Sequence, residues 1–127
     1  MITNSISFGR ANHHYQSPLK TLFKEGKFPS VTRGFYGEII TPRNVSLEHL
    51  KPFSSCRRND LSNLVLASKR KNTARGCGNL SNYFNPTAAQ AYLEQFRDIH
   101  IPGKFDGNSY INMITRKLRD MSLFMRK

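Results

Sequence analysis

The chain has 127 residues, of which 38% are hydrophobic, and they include nine Phe and five Tyr. This length suits one domain with no second full core, and the apolar content is too high for a wholly disordered chain. Twenty Lys and Arg against eight Asp and Glu give a net charge of +12. Such a charge indicates a polyanionic partner, nucleic acid before acidic lipid, with a merely soluble basic protein as the alternative.

Several classes of protein are excluded by pattern. No apolar run approaches the roughly 20 residues of a membrane span, and the first seven residues lack the charged flank and apolar core of a signal peptide. We therefore expect a cytoplasmic protein with no membrane partner. Cys56 and Cys77 do not form a C-x-x-C pair, which excludes a four-cysteine zinc site and a disulfide framework.

The first third of the chain is polar, with one predicted helix. Ser17-Pro18 is typical of a helix start, with Leu19, Leu22 and Phe23 on the apolar face and Gly26 at the end. Residues 35–40 then form a strand or a loop that covers the core, and Pro42 closes this segment.

The middle of the chain predicts the order strand, loop, strand, helix. Residues 45–50 alternate with a period of two and end before Pro52, and residues 63–67 are a second apolar strand. Ser68 is a typical N-cap for a helix over residues 69–75, which Gly76 ends.

Two further helices are predicted in the last third. Pro86 opens one that runs to Ile99, before the break at Pro102-Gly103. The last helix begins near Asn108, and its apolar residues recur at helical spacing: Ile111, Ile114, Leu118, Met121 and Met125. The predicted fold class is α+β, with a small core at residues 35–79, an N-terminal extension with a short helix at 1–34, and a C-terminal helical extension at 80–127 that packs on the core.

The positive charge is concentrated in the centre of the chain. Residues 43–76 hold eight Lys and Arg against only Glu48 and Asp60, so this quarter of the chain carries half of the net charge. We expect a polyanion to bind here.

The same region contains four residues suited to phosphodiester hydrolysis: Glu48, His49, Asn63 and Asn72. This reaction needs an activated water and positive charge near the phosphate and the leaving oxygen. A His with a near-neutral pKa can take a proton from water, and oxygen side chains can hold a divalent cation.

This arrangement resembles the HNH endonuclease family. The family has an acid–His pair on a strand followed by Pro, a loop, an Asn before an apolar strand, and an Asn or His on a helix. The resemblance covers residues 43–79 and implies a ββα-metal core and a metal-dependent endonuclease that nicks or cuts duplex DNA, in a phage, mobile-element or restriction context. It implies no small-molecule cofactor, and the sequence does not indicate an oligomeric state.

The resemblance also implies a role for each residue. His49 would be the general base, Glu48 and Asn72 would ligate the metal, and Asn63 would hold the loop and the His49 backbone by hydrogen bonds. Four basic residues could contact phosphates: Arg57, Lys69, Lys71 and Arg75. In a strand, Glu48 and His49 point to opposite faces, so both serve one site only if the strand is bent or at an edge there.

The chain departs from the family pattern at three places. Cys56-Arg57 stands near the place of a common Gly-Gly turn, Glu48 replaces a more usual Asp or His, and Asn72 is a weaker ligand than His. Oxygen ligands favour Mg²⁺, with Mn²⁺ as an alternative and Zn²⁺ disfavoured.

Each residue taken alone has a structural interpretation. His49 alone suits a half-buried, hydrogen-bonded side chain, and Glu48 suits an ion pair with a nearby Arg. Residues 69–71 suit a solvated helix face. The alternative functions are a catalytically silent HNH-fold module that binds nucleic acid or protein, and an RNA-binding protein. An RNA-binding function would leave the set of four residues suited to phosphodiester hydrolysis without an explanation.

Overall fold

A computed structural model describes residues 18–51, 60–76 and 78–124 of the chain. In these ranges the elements follow the order α1 (Leu19–Lys24), β1 (Val45–His49), β2 (Leu64–Ser68), α2 (Lys69–Arg75), α3 (Pro86–Glu94), β3 (His100–Ile101), β4 (Phe105–Asp106) and α4 (Gly107–Asp120). Short 3₁₀ turns cover Leu61–Asn63 and Leu80–Asn82. The predicted mixture of helices and strands, the α+β composition, is confirmed.

The central hairpin pairs β1 with β2 in antiparallel register, from Val45 opposite Ser68 to His49 opposite Leu64. Both strands begin and end within one residue of their predicted positions. All five residues of β2 are buried. Because a strand that packs on both faces cannot alternate in polarity, the apolar run of β2 follows from this position.

Helix α2 follows β2 directly and packs on both strands of the hairpin. The Ser68 hydroxyl accepts a hydrogen bond from the Lys71 amide (3.2 Å), as expected of an N-cap. Gly76 ends the helix with a φ of +55°, in a region that side chains disfavour. The predicted helix over residues 69–75 is therefore confirmed at both ends.

The backbone groups at the outer edge of β2 form hydrogen bonds with side chains and with a turn. The Leu66 amide donates to the Tyr92 hydroxyl (2.9 Å), and the Leu66 carbonyl accepts from the Phe35 amide (2.9 Å). The Tyr110 hydroxyl donates to the Leu64 carbonyl (2.8 Å) and lies 2.9 Å from the Tyr92 hydroxyl. The two tyrosines thus fill the place that a third strand would take.

One hydrophobic cluster joins all three segments that the sequence suggested. It includes side chains of α1, both hairpin strands, α3 and α4. Phe28, from the N-terminal segment, packs against Phe96 and Phe105 of the C-terminal segment, with ring centroids 5.3 and 4.9 Å apart. The hairpin and both flanking segments therefore share a single core.

Helix α3 ends at Glu94, five residues before the predicted end at Ile99. The reason is a long-range contact. The side-chain amide of Gln95 accepts from the Arg33 amide (2.9 Å) and donates to the Arg33 carbonyl (2.9 Å). Asp98 then adopts a φ of +63°, which turns the chain out of the helix.

The structure also shows which form two other segments take. Residues 35–40 form a turn, closed by a bridge between Arg33 and Ile39, and not a regular strand. The predicted break at Pro102-Gly103 is the turn of a small hairpin, in which His100 pairs with Asp106.

We expect Tyr92→Phe to lower the free energy of unfolding by about 1–3 kcal/mol, because it leaves the buried Leu66 amide without an acceptor. Urea unfolding followed by circular dichroism measures this change. Tyr83→Phe is the matched control, since the Tyr83 side chain is 43% exposed and loses the same atom at the surface. Equal effects of the two substitutions would contradict a supporting role for the Tyr92 hydroxyl.

Candidate functional site

The candidate site lies where α2 crosses β1. Asn72 and Arg75, one helical turn apart, both contact β1. The Asn72 side-chain nitrogen donates to the Ser46 hydroxyl (2.8 Å) and the Leu47 carbonyl (3.0 Å). Arg75 contacts Glu48, two residues beyond Ser46. Because side chains two apart on a strand share a face, Glu48 and Asn72 lie at the same helix–strand junction.

Arg75 is a structural residue of this junction. It is only 4% exposed, and its guanidinium donates to the carbonyls of Gly78 (3.0 Å), His49 (2.5 Å) and Leu50 (2.9 Å). Its Nη1 also lies 3.2 Å from Oε2 of Glu48. The sequence led us to expect that Arg75 contacts a phosphate. In the structure, its N–H groups are buried and donate to protein acceptors.

Glu48 is also buried, with 2% of its surface exposed. Its Oε2 accepts a short hydrogen bond from the Tyr36 hydroxyl and faces Arg75, while Oε1 accepts no hydrogen bond from the described residues. Burial raises the pKa of Glu48 above its ordinary value, and the Tyr36 hydrogen bond and the Arg75 charge oppose that rise. The sequence suggested an ion pair with an arginine as the structural interpretation of Glu48, and this ion pair is present.

Sequence reasoning missed Tyr36. It stands twelve residues before Glu48, in a segment that was expected only to cover the core. Burial raises the pKa of Tyr36, and the hydrogen bond to Glu48 adds to the rise, so the hydroxyl stays protonated and donates. No spacing rule in the sequence joins these two residues, because the contact depends on how the 35–40 turn packs.

His49 is the last residue of β1, and its side chain is partly exposed. Strand alternation turns its side chain to the opposite face from Glu48. The chain on its C-terminal side is held tightly. The Leu50 amide donates to the Asn63 carbonyl (2.9 Å).

Asn63 holds the residue that follows. It is fully buried, its Oδ1 accepts from the Lys51 amide (2.9 Å), and its Nδ2 donates to the Lys51 carbonyl (3.0 Å). Together, Arg75 and Asn63 fix the backbone from His49 to Lys51. The resemblance implied hydrogen bonds from Asn63 to the loop and to the His49 backbone, and the side-chain hydrogen bonds described here reach Lys51, two residues beyond His49.

Two side-chain oxygens near the junction are of the chemical type that binds an oxygen-preferring divalent cation. Oε1 of Glu48 and Oδ1 of Asn72 accept no hydrogen bond from the described residues, and both lie at the helix–strand junction. Mg²⁺ is commonly held by one or two carboxylates and completed by water and substrate phosphates. In the described parts of the chain, no three His, Cys, Asp or Glu residues come together as a metal-binding group.

The remaining predicted residues divide into two groups. Lys69 and Lys71 are exposed on α2, next to the exposed Arg70. Arg57 and the Cys56-Arg57 departure lie outside the described residues. Among the residues that the structure describes, no helix combines the length and apolar character needed to cross a bilayer.

Comparison with known proteins gives no family assignment. A scan against protein-family models finds no match, and a search of curated proteins finds none.

We expect Arg75→Met to lower the free energy of unfolding by about 3–5 kcal/mol, because it leaves the buried Glu48 charge and two strand-end carbonyls without their partner. Chemical denaturation of the variant and the parent protein measures the difference. Arg116→Met removes the same group from an exposed position on α4 and should change stability little. A similarly small effect at Arg75 would show that its hydrogen bonds do not support the junction.

Proposed function

We propose that this protein is a small HNH-type, metal-dependent endonuclease that hydrolyses phosphodiester bonds in DNA. The observation that carries the proposal is the junction of β1 and α2. A strand–strand–helix unit has Glu48 on its first strand, Asn72 on the helix that packs against that strand, and His49 at the end of the same strand. In this reading the unit is a ββα-metal core.

His49 is the proposed general base. A ring nitrogen accepts a proton from the water that attacks the phosphorus atom, as an imidazole with a near-neutral pKa can do. The partly exposed side chain can reach water, while Arg75 and Asn63 hold the backbone around it. A fixed backbone keeps the base in one position relative to the substrate, which lowers the entropic cost of the reaction.

Glu48 and Asn72 are the proposed ligands, through Oε1 and Oδ1. When bound, a divalent cation supplies the positive charge that stabilises the phosphate and the leaving oxygen. Tyr36 and Arg75 hold Oε2, so the remaining carboxylate oxygen has a fixed direction. Lys69 and Lys71 are the proposed phosphate contacts on α2, where their exposed ammonium groups can meet a DNA backbone.

One observation favours a second candidate, a catalytically silent module that binds nucleic acid. Arg75 already balances the Glu48 charge, so the pair is complete as a structural ion pair without any cation. In such a module the charged surface binds DNA, and the junction serves stability alone. Metal-dependent nicking separates the two functions, because only the nuclease cleaves.

We expect His49→Ala to lower the rate of plasmid nicking at least about a hundredfold, the lower range for a general base, with little change in DNA affinity. The assay compares Mg²⁺, Mn²⁺, Zn²⁺ and EDTA, and activity is expected with Mg²⁺ or Mn²⁺. His100→Ala is the matched control, since His100 is exposed in the β3–β4 hairpin. Nicking by His49→Ala at the parent rate would refute the base assignment, and no nicking with any metal would favour the binding module.

We expect Asn72→Ala to weaken Mn²⁺ binding by about tenfold or more, because even an outer partner of a metal ligand is worth about that much. Calorimetric titration measures the affinity without any cleavage. Asn112→Ala, at an exposed position on α4, is the control. Glu48→Gln is a weaker test because it also disturbs the buried pair with Arg75. Equal Mn²⁺ affinity in Asn72→Ala and the parent would remove Asn72 from the proposed ligand set.

A further inference from the structure

Tyr83 is an exposed aromatic side chain on a well-anchored turn. Among the large apolar side chains of the described residues, it and Ile39 are the exposed ones. The Tyr83 amide donates to the carbonyl of the buried Leu80 (2.9 Å), at the end of the 3₁₀ turn over Leu80–Asn82. The next residue, Phe84, packs against Phe35 in the core, whereas the Tyr83 ring contacts no described aromatic ring. Packing of the core therefore does not account for this ring.

The Tyr83 ring lies beside the last turn of α2. Its hydroxyl is 3.4 Å from the carbonyl oxygen of Ala74, and a Cβ atom added at Gly78 would be 3.4 Å from its Cε2 atom. The Gly78 carbonyl accepts from Nε of Arg75 (3.0 Å), and the same guanidinium donates to the His49 carbonyl (2.5 Å). These contacts connect Tyr83, through Gly78 and Arg75, to the end of β1 and so to the candidate site.

The chain around Tyr83 is positively charged. From residue 61 to residue 93 the sequence contains no Asp or Glu, and its Lys and Arg residues are Lys69, Arg70, Lys71 and Arg75. The first three are exposed on α2. Two carboxylates from other segments contact this region and keep their charges. Glu48 is buried against Arg75, and Glu38 accepts from the Ser68 amide (2.7 Å) at the start of α2, the opposite end of the helix from Tyr83. The exposed cations of α2 therefore outnumber the one carboxylate at its start.

We infer that Tyr83 stacks on an unpaired base of a DNA strand whose phosphates contact the exposed cations of α2. The inference rests on the proposed function for the choice of DNA, but it requires neither a metal nor cleavage. The seven residues of α2 span about 10 Å, the length of about three nucleotides of a stacked strand. Every base has an apolar face, so an aromatic ring beside positive charge binds single strands with little regard to sequence. The ligand is thus single-stranded or locally unpaired DNA next to the candidate site.

Binding of a labelled oligo-dT strand in EDTA, followed by fluorescence anisotropy, tests the inference. We expect Tyr83→Ala to weaken the affinity about fivefold to a hundredfold, the range that loss of one base–aromatic stack gives. Tyr83→Phe keeps the ring and loses only the hydroxyl, so its affinity should stay within about twofold of the parent. The dependence of affinity on salt should be the same in all three proteins, because neither substitution removes a charge.

Ile39→Ala is the matched control, because it shortens the other exposed apolar side chain and should leave the affinity unchanged. The inference is overturned if Tyr83→Ala binds oligo-dT as tightly as the parent, or if Tyr83→Phe or Ile39→Ala loses as much as Tyr83→Ala. A loss of affinity for oligo-rU with none for oligo-dT would overturn the choice of DNA and favour RNA.

A fluorescent reporter makes a second test that does not depend on the stability of the alanine variant. The chain has no Trp, so Tyr83→Trp places a single indole at the proposed contact. We expect oligo-dT to quench its emission by stacking, and inorganic polyphosphate, which has the charges but no bases, to leave the emission unchanged. Quenching by both ligands, or by neither, would overturn the inference.

These outcomes are separate from those of the nuclease proposal. A loss of oligo-dT affinity in Tyr83→Ala, together with a parent protein that does not nick, would remove the nuclease and keep the stacking contact. Nicking by the parent, with equal oligo-dT affinity in Tyr83→Ala and the parent, would keep the nuclease and remove the stacking contact.

Discussion

The guanidinium of Arg75 is the contact on which the candidate site depends. It donates hydrogen bonds to three carbonyls and forms an ion pair with one buried carboxylate. These contacts join α2 to the end of β1. Because Glu48 and Arg75 are both removed from water, each needs the other, and the cost of losing one partner exceeds the value of the pair. The strand end at His49 is thereby tied to the same helix that carries Asn72, so these two parts of the candidate site cannot shift independently.

The hairpin itself depends on segments far from it in sequence. A two-stranded hairpin is marginally stable alone in water, and here the outer edge of β2 receives its hydrogen bonds from Phe35, Tyr92 and Tyr110. The regions before and after the hairpin are therefore parts of its core. Removing either region would expose backbone groups of β2 to water and would take away part of the aromatic cluster that now covers them.

The charge distribution links the fold to the proposed function. Oε2 of Glu48 contacts Tyr36 and Arg75, and the carboxylate of Glu38 accepts hydrogen bonds from backbone amides. The lysines of α1 and α2 remain exposed or partly exposed without described acidic partners. Two of the acidic groups of this strongly basic chain thus support the fold, while the lysines of α2 remain exposed beside the candidate site.

Local chemistry in the sequence determined much of this fold. The β1 and β2 strands, the Ser68 cap, the Gly76 stop and the beginning of α4 near Asn108 follow from short-range periodicity and capping, and they were predicted closely. The set of Glu48, His49, Asn63 and Asn72 follows from residue types, their spacing and the order of the elements, and the structure brings Glu48 and Asn72 to one junction. Its chemical role remains a proposal.

Only the tertiary structure decided the long-range contacts. The link from Tyr36 to Glu48, the contact of Arg75 with the end of β1 and the contact of Gln95 with Arg33, just after α3 ends at Glu94, all join residues whose separation carries no periodic signal. An arginine in a basic run looks the same in sequence whether it meets a phosphate or a buried carboxylate. Its environment is set by packing, because desolvation and hydrogen-bond partners exist only once distant segments come together.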